Sequence, residues 1–225
     1  EGEKNLEEDL GDFDATEDIY AAYGMTEIYL SDKILLLPGL RYEYSEVNYD
    51  AFEFDEEEET LTPVSGSNSY GELLPNVHLR YLIGDRSNLR AAVTRTLARP
   101  NYGQVVPAEL IIREDQEIER GNADLNPTTS WNLDLMYERF FKTVGVVSAG
   151  VFYKDLQDYI FVSTFEESRD GEDWEITQPV NGEDAWLWGV ELAFQNQFRN
   201  WPSPWDGFGF YVNYTWTDSE ATIPG

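Results

Sequence analysis

Phe208-Gly209-Phe210-Tyr211-Val212-Asn213-Tyr214-Thr215-Trp216-Thr217 alternates without a break. Phe208, Phe210, Val212, Tyr214 and Trp216 fall on one side, and Gly209, Tyr211, Asn213, Thr215 and Thr217 on the other. A period of two is the mark of a β-strand, here with one apolar and one largely polar face. Upstream, Trp186, Trp188, Val190, Leu192 and Phe194 oppose Leu187, Gly189, Glu191, Ala193 and Gln195. Trp131, Leu133, Leu135 and Tyr137 oppose Asn132, Asp134, Met136 and Glu138, and Val147, Ala149, Val151 and Tyr153 oppose Ser148, Gly150, Phe152 and Lys154. Further strands read over 70–83 and 88–98, and two more over 17–31 and 33–49, where Leu35-Leu36-Leu37 interrupts the alternation. About eight strands result, with no helical period of any length.

The connections sort into two classes that alternate along the chain. Ser31-Asp32-Lys33, Gly84 to Asn88, Lys142 to Gly145 and Asn200 to Gly207 read as short turns, whereas 50–69, 99–128 and 165–183 read as long loops. Short turns at one end and long loops at the other are the organisation of an up-and-down transmembrane barrel. A Greek-key sandwich has no reason to sort its loops this way. Strand length agrees: twelve residues at about 3.3 Å each, tilted by about 45°, rise roughly 28 Å, close to an apolar band of about 25 Å. The longest apolar run, Ile34 to Leu40, is broken by Pro38 and is far too short for a membrane helix.

Charge follows the same division. The 225 residues carry 15 Lys and Arg against 44 Asp and Glu, a formal charge of -29. Segments 1–18, 50–59, 109–124 and 166–184 hold 30 of those acids, all at the long-loop end if the strands run up and down in order. Solvated loops account for such a distribution. An acidic vestibule that binds divalent cations or steers cationic ligands is the functional alternative. Nucleic acid is excluded as a partner, because phosphate binding needs clustered cations. There is no cysteine, hence no disulfide and no thiolate chemistry.

Aromatic residues make up 15% of the chain, and their placement points to a membrane. Trp131, Trp186, Trp188 and Trp216 lie near the long-loop ends of their strands on the apolar faces, with Trp201 and Trp205 in the opposite turn. Amphipathic rings at both rims are what a bilayer-spanning barrel requires. Arg95 is the exception, falling on the outward face with Ala91 and Val93. A soluble secreted β domain binding carbohydrate is the reading without a membrane, and it would need polar outer faces.

Several stretches resemble one family. Leu97-Ala98-Arg99-Pro100-Asn101-Tyr102-Gly103-Gln104-Val105-Val106-Pro107 is similar to a strand-to-loop passage of TonB-dependent outer-membrane receptors. Gly121-Asn122-Ala123-Asp124-Leu125-Asn126-Pro127 and the strand after it resemble that family's Gly-Asn-Pro-x-Leu-x-Pro motif, with Ala123 in place of the usual proline. Gly150 to Lys154 followed by Asp158-Tyr159-Ile160, and Leu73-Leu74-Pro75-Asn76, are similar to further family segments, in the same order and spacing. The proline stops make physical sense, since proline cannot donate to a central ladder.

The resemblance implies an all-β antiparallel fragment, about eight strands of a 22-stranded barrel filled by an N-terminal plug. It implies TonB-coupled uptake of a scarce nutrient: a ferric siderophore, haem, cobalamin or oligosaccharide. Lipopolysaccharide and outer-membrane lipid are then its surroundings, and the TonB complex acts through an N-terminal part that residues 1–225 do not contain. Both ends read as cuts through a longer protein, and eight strands alone would leave two edges open. Family ligand contacts come from long loops and upper inward faces, which points to Arg99, Tyr102, Arg113, Trp174 and Gln178. A passive outer-membrane pore is the alternative.

The sequence offers little other chemistry. His78 is the sole histidine, on a lumen face with Asn76 and Arg80, so no zinc site with a histidine pair can form. Asp12, Asp14, Thr16 and Asp18 lack the glycine and closing glutamate of a calcium loop. No nucleophile or phosphate-loop motif is present, and neither an enzymatic activity nor a cofactor is expected.

Overall fold

In the computed structural model, which describes residues 13–55, 60–112, 116–142, 144–169, 171–199 and 201–223, the strands follow the alternation closely. The main sheet takes β1 (Phe13–Met25), β3 (Ile34–Asp55), β4 (Thr60–Leu82), β5 (Ser87–Ala98), β8 (Thr128–Phe140), β9 (Gly145–Gln157), β12 (Asp184–Gln197) and β13 (Gly209–Ala221) in that spatial order. Every neighbouring pair is antiparallel. A short β2 (Ile28–Ser31) continues β1 along β3, after a break opposite Pro38. There the Thr26 N–H reaches the Pro38 carbonyl at 3.1 Å, while Pro38 itself has no N–H to return. β1 and β2 thus fill one strand position, and the sheet has eight, as read from the sequence.

Register confirms the assignment of faces. Leu79, Ala91, Leu135, Val151, Val190 and Trp216 form one lateral row, and Tyr137, Ala149, Leu192 and Tyr214 belong to another on the same face. These apolar side chains stand open: Leu133 is 53% exposed, Leu192 47% and Phe210 51%. A continuous apolar wall of this size is not tolerated against water and marks a lipid-facing surface. One long-loop-ward row reads Trp131, Asp155, Trp186, Glu220. Indoles and carboxylates mixed in one row mark where an apolar band gives way to an interface. The opposite, inner face carries His78, Arg80, Arg90, Asn132, Asp134 and Glu191.

Arg95 sits in outward register beside Trp131 but is not bare. Its guanidinium bonds the Glu72 carboxylate and the Leu73 carbonyl, the latter at 2.8 Å. The β4–β5 ladder ends at Asn76 and Thr94, next to Pro75, and the arginine fills the gap where the proline cannot donate.

The long loops differ most from expectation. The stretch 50–69 is not a loop: β3 and β4 remain paired from Asp50 and Ser65 to Asp55 and Thr60. The stretches 99–128 and 165–183 also hold regular structure. They contain helix α1 (Tyr102–Val105), β6 (Glu109–Ile112) and β7 (Glu117–Arg120), and β11 (Glu172–Asn181) with the end of β10 (Ile160–Arg169). These four strands form a second sheet ordered β10-β11-β7-β6. Its β11–β7 contact is parallel and joins segments some sixty residues apart, which no local pattern reveals.

Candidate functional site at the long-loop end

The second sheet is built around one packed face. Ile118 and Ile176 are adjacent in the parallel register, and with Trp174 they form a buried cluster against which Ile111 packs. Each such burial contributes roughly 1.5–3 kcal/mol. Beside this cluster, on the same face, two arginines and two glutamates close an ionic network. Arg169 of β10 grips Glu109 of β6 with both Nη atoms, at 2.8 and 2.7 Å, and reaches Glu167 through Nε at 3.2 Å. Arg120 of β7 bonds Glu167 at 3.0 Å, Glu109 at 3.4 Å and the Gln178 side-chain oxygen of β11 at 3.1 Å. All four strands are therefore laced together, and the network is charge-neutral.

Burial pushes the Glu109 carboxyl up, but hydrogen bonds and charge from Arg169 and Arg120 outweigh it and hold it below its ordinary value. Glu167 follows the same balance to the same side. The hydrogen bond to Glu109, with the charge of both carboxylates, holds Arg169 protonated more firmly than a free guanidinium. The other face of the sheet is acidic: Glu117 lies beside Glu175, which lies opposite Glu166, and all three are exposed.

The Gly121–Thr128 stretch clasps this sheet to the barrel wall. Asn122 accepts from the Asp124 N–H at 3.0 Å and donates to the Pro179 carbonyl at 3.0 Å. Asn181 accepts from the Asn126 N–H and donates to the Asn126 and Asp158 carbonyls, while Thr128 donates to the same Asp158 carbonyl. From the wall, Asn68 donates to the carbonyls of Ala123 and Leu125 at 2.8 and 3.0 Å. Gly121 is required by close approach, because a Cβ there would stand 2.0 Å from the Val106 carbonyl oxygen. Asn101 and Gln104 cap α1 reciprocally. A cavity of about 310 Å³ opens between these parts, lined by Phe13, Gln104, Arg120, Thr177 and Pro179 among others.

The residues expected to meet ligand divide into different fates. Arg99 lies on the upper inner wall, bonded to Ser45 at 3.2 Å and paired with Glu43 and Glu17. Tyr102, the first residue of α1, is 44% exposed. Gln178 faces the ionic network and accepts from Arg120. Trp174 is a correction: at 6% exposure it packs in the core of the second sheet and presents no stacking surface. Arg113 lies outside the described residues, as do Asp12 and the acidic tip 56–59. Glu109, Arg120, Glu167, Arg169 and Asn181 organise the site without a local signal of their own, and Asn122 is visible in the sequence only as part of the Gly121–Pro127 motif. The usable signal for the second sheet is the alternation of Trp174 and Ile176 with Asp173 and Glu175, hidden by the density of acids. Among the described residues, no group of three or more His, Asp or Glu is arranged to hold a metal ion.

Comparison with known proteins agrees with this geometry. The family described as TonB dependent receptor-like, beta-barrel matches residues 7–225. The ferric yersiniabactin uptake receptor FyuA from Yersinia pestis superposes with a TM-score of 0.66 at 18% identity, over 93% of this chain and 28% of that one. The copper transporter OprC gives 0.64 at 19% identity, over 91% and 29%. The ferric-catecholate import receptor Fiu from E. coli K12 gives 0.61 at 14% identity, over 95% and 29%. At these identities the likeness is one of fold, and the chain spans under a third of each of these three proteins. An open antiparallel wall with a lipid-type outer face and an elaborated long-loop end is the wall of a larger barrel: the chain belongs to the TonB-dependent receptor-like β-barrel family of the bacterial outer membrane.

Proposed function

We propose that this chain is part of a receptor that imports a scarce nutrient across the outer membrane, powered through the TonB complex. The observation that carries the reading is the pairing of a lipid-facing wall with an ordered, cross-braced layer at the long-loop end. A passive pore has no need of an ionic network binding four loop strands together. FyuA and Fiu are described as ferric-chelate receptors and OprC as a copper transporter, so a metal ion or metal chelate is the favoured cargo class. Haem, cobalamin and oligosaccharide belong to the same mode of uptake.

The charge of the mouth narrows this further. Arg99, Arg120 and Arg169 are all neutralised by carboxylates, while Glu117, Glu166 and Glu175 stand open. Such a surface repels anions and concentrates cations, which favours neutral or cationic cargo. Tyr102 remains as the exposed aromatic contact, and Arg99 and Gln178 act by holding the wall and the loop sheet. Trp131, Trp186, Trp188 and Trp216 anchor the outer rim in the bilayer interface.

The test is uptake by cells carrying the whole receptor, with a panel of labelled metal chelates of graded charge. Accumulation of neutral or cationic members that collapses on adding a protonophore is the expected result. Accumulation indifferent to the protonophore would make the protein a passive pore.

A further inference from the structure

The outward face of β8, β9, β12 and β13 carries opposite charge at its two rims. At the long-loop rim its charged side chains are Asp155, Asp184, Asp218 and Glu220. At the short-turn rim the charged side chain is Arg139, whose neighbours in register, Ser87 and Val147, offer no carboxylate. The short turns and the strand ends beside them (31–33, 84–88, 139–145 and 197–208) hold Lys33, Arg86, Arg139, Lys142 and Arg199 against Asp32, Asp85 and Asp206. That excess of cations stands in a chain with 44 acids to 15 Lys and Arg. Among the described residues none of these five cations makes an ion pair, and all five are exposed. Arg139, Lys142 and Arg199 gather at the foot of β8, β9, β12 and β13, where Asp206 is the one acid of the two turns.

An aromatic surface accompanies these cations. Phe141, Phe194 and Phe210 meet one after another across the rim, with ring centroids 6.0 and 6.3 Å apart. Arg139 lies in the same lateral row as Phe194, with Val147 between them. The Phe198 N–H bonds the Phe208 carbonyl at 2.9 Å, so the turn after β12 leaves directly from the foot of the wall. Within it Phe198 stacks on Trp201 at 4.4 Å, and Trp205 tilts against Phe208 at 5.5 Å. Trp201 and Trp205 are more than half exposed, and the lipid-facing wall continues into them without a break. Exposed indoles and long cationic side chains below an apolar wall belong where acyl chains meet headgroups.

We propose that this rim selects anionic phospholipid from the inner leaflet, the leaflet at which the short turns of a barrel emerge. The acyl chains lie on Phe141, Phe194 and Phe210, and the Arg139 guanidinium takes the headgroup phosphate, which its fork of donors matches. Lys142 and Arg199 make the choice of headgroup. A zwitterionic lipid offers the same phosphate but brings an ammonium that these two cations repel, whereas an anionic lipid brings none. The selectivity is independent of the cargo and of its import.

The experiment uses the full-length receptor in phosphatidylcholine vesicles that contain a minor share of brominated phosphatidylglycerol or brominated phosphatidylethanolamine. The emission lost in the double variant Trp201→Phe/Trp205→Phe defines the signal of these two indoles, so the readout is local to the rim. Brominated phosphatidylglycerol should quench that signal as if enriched about fivefold or more over brominated phosphatidylethanolamine, a factor of about five being what one cation near an anionic surface supplies. The triple variant Arg139→Gln/Lys142→Gln/Arg199→Gln should bring the two lipids to parity. Arg139→Lys/Arg199→Lys, which keeps the charges, should retain most of the preference. Lys154→Gln, which removes a charge from the inner face, should leave it unchanged. Molar salt should abolish the preference in the unaltered receptor, and this arm serves if the glutamine variant does not assemble. Equal quenching by both lipids, or none by either, would overturn the assignment. So would a preference that survives the triple variant or molar salt, or one lost equally in Lys154→Gln.

Discussion

Arg169 and Glu109 meet with two parallel N–H···O bonds of 2.8 and 2.7 Å across the second sheet, from β10 to β6, sixty residues apart in the chain. Glu109 is nearly buried and Arg169 about a third exposed, so the pair is shielded but not dry. It does what backbone ladders alone cannot, since β6 and β7 have four residues each and little pairing of their own. Its loss should be felt locally and not in the barrel wall.

Glu109→Gln removes the charge while keeping the shape, leaving Arg169 and Arg120 to share Glu167. With solvent screening allowed for, the cost is roughly 1–3 kcal/mol, read as local opening. Hydrogen exchange over β10 and β11 should accelerate about 5- to 100-fold, while β8 and β9 keep their protection. Unchanged exchange in β11 would show that the apolar cluster holds the sheet unaided.

The same network sets an acid limit. Glu109 and Glu167 both have folded pKa values below their unfolded ones. Their contribution is therefore fully present above an ordinary carboxylate pKa of about 4.3, and is lost as pH falls through the lower folded values. Trp174, buried beside the network, is the reporter. Its emission should stay constant from pH 8 to 5 and shift to the red below about pH 4. A transition near pH 6 would point to a different group.

How much of this was legible in the sequence follows from which interactions are local. Phe210, Val212 and Tyr214 declared their face by alternation alone, because a strand's two faces are fixed by the backbone pleat. The register then placed every outward residue named from β8, β9, β12 and β13 on one side. Ile118 and Ile176 gave no such announcement. Their adjacency depends on a parallel pairing between distant segments that each look like acidic loops. Arg99 shows the opposite case: it stands at a loop edge in the sequence without a visible partner, and only the fold brings Glu43 and Glu17, some sixty and eighty residues upstream, beside it.

The rim tryptophans can be tested with lipid. Trp188 and Trp216 meet edge to face at 4.8 Å on the outward wall, near the rows where carboxylates first appear. In the whole receptor reconstituted with lipids brominated near the carbonyl, Trp188→Phe and Trp216→Phe should each lower the quenchable fraction of the emission. Trp174→Phe, which removes an indole that lipid does not reach, should raise that fraction slightly. Quenching that is insensitive to Trp188 and Trp216 would remove them from the interface.

Gly121 offers the sharpest steric test. It is buried where the chain passes from the second sheet to the wall, and the Asn122 N–H meets the Gln104 carbonyl at 2.6 Å. An alanine Cβ would fall 2.0 Å from the Val106 oxygen and 3.1 Å from that of Gln104, both backbone atoms that no rotamer can move. The chain must therefore shift, and the Asn122–Pro179 and Asn68–Leu125 bonds lie directly in its path. We expect Gly121→Ala to cost about 1–3 kcal/mol, as overpacking does. The clasp and α1 should loosen together, with faster exchange at 101–106 and at 121–127. The main sheet should keep its exchange protection. Gly103→Ala, where a Cβ meets only the Asn101 side-chain oxygen at 3.6 Å, is the control and should leave the clasp intact. If the two variants behave alike, the glycine in this motif serves chain flexibility and not close approach.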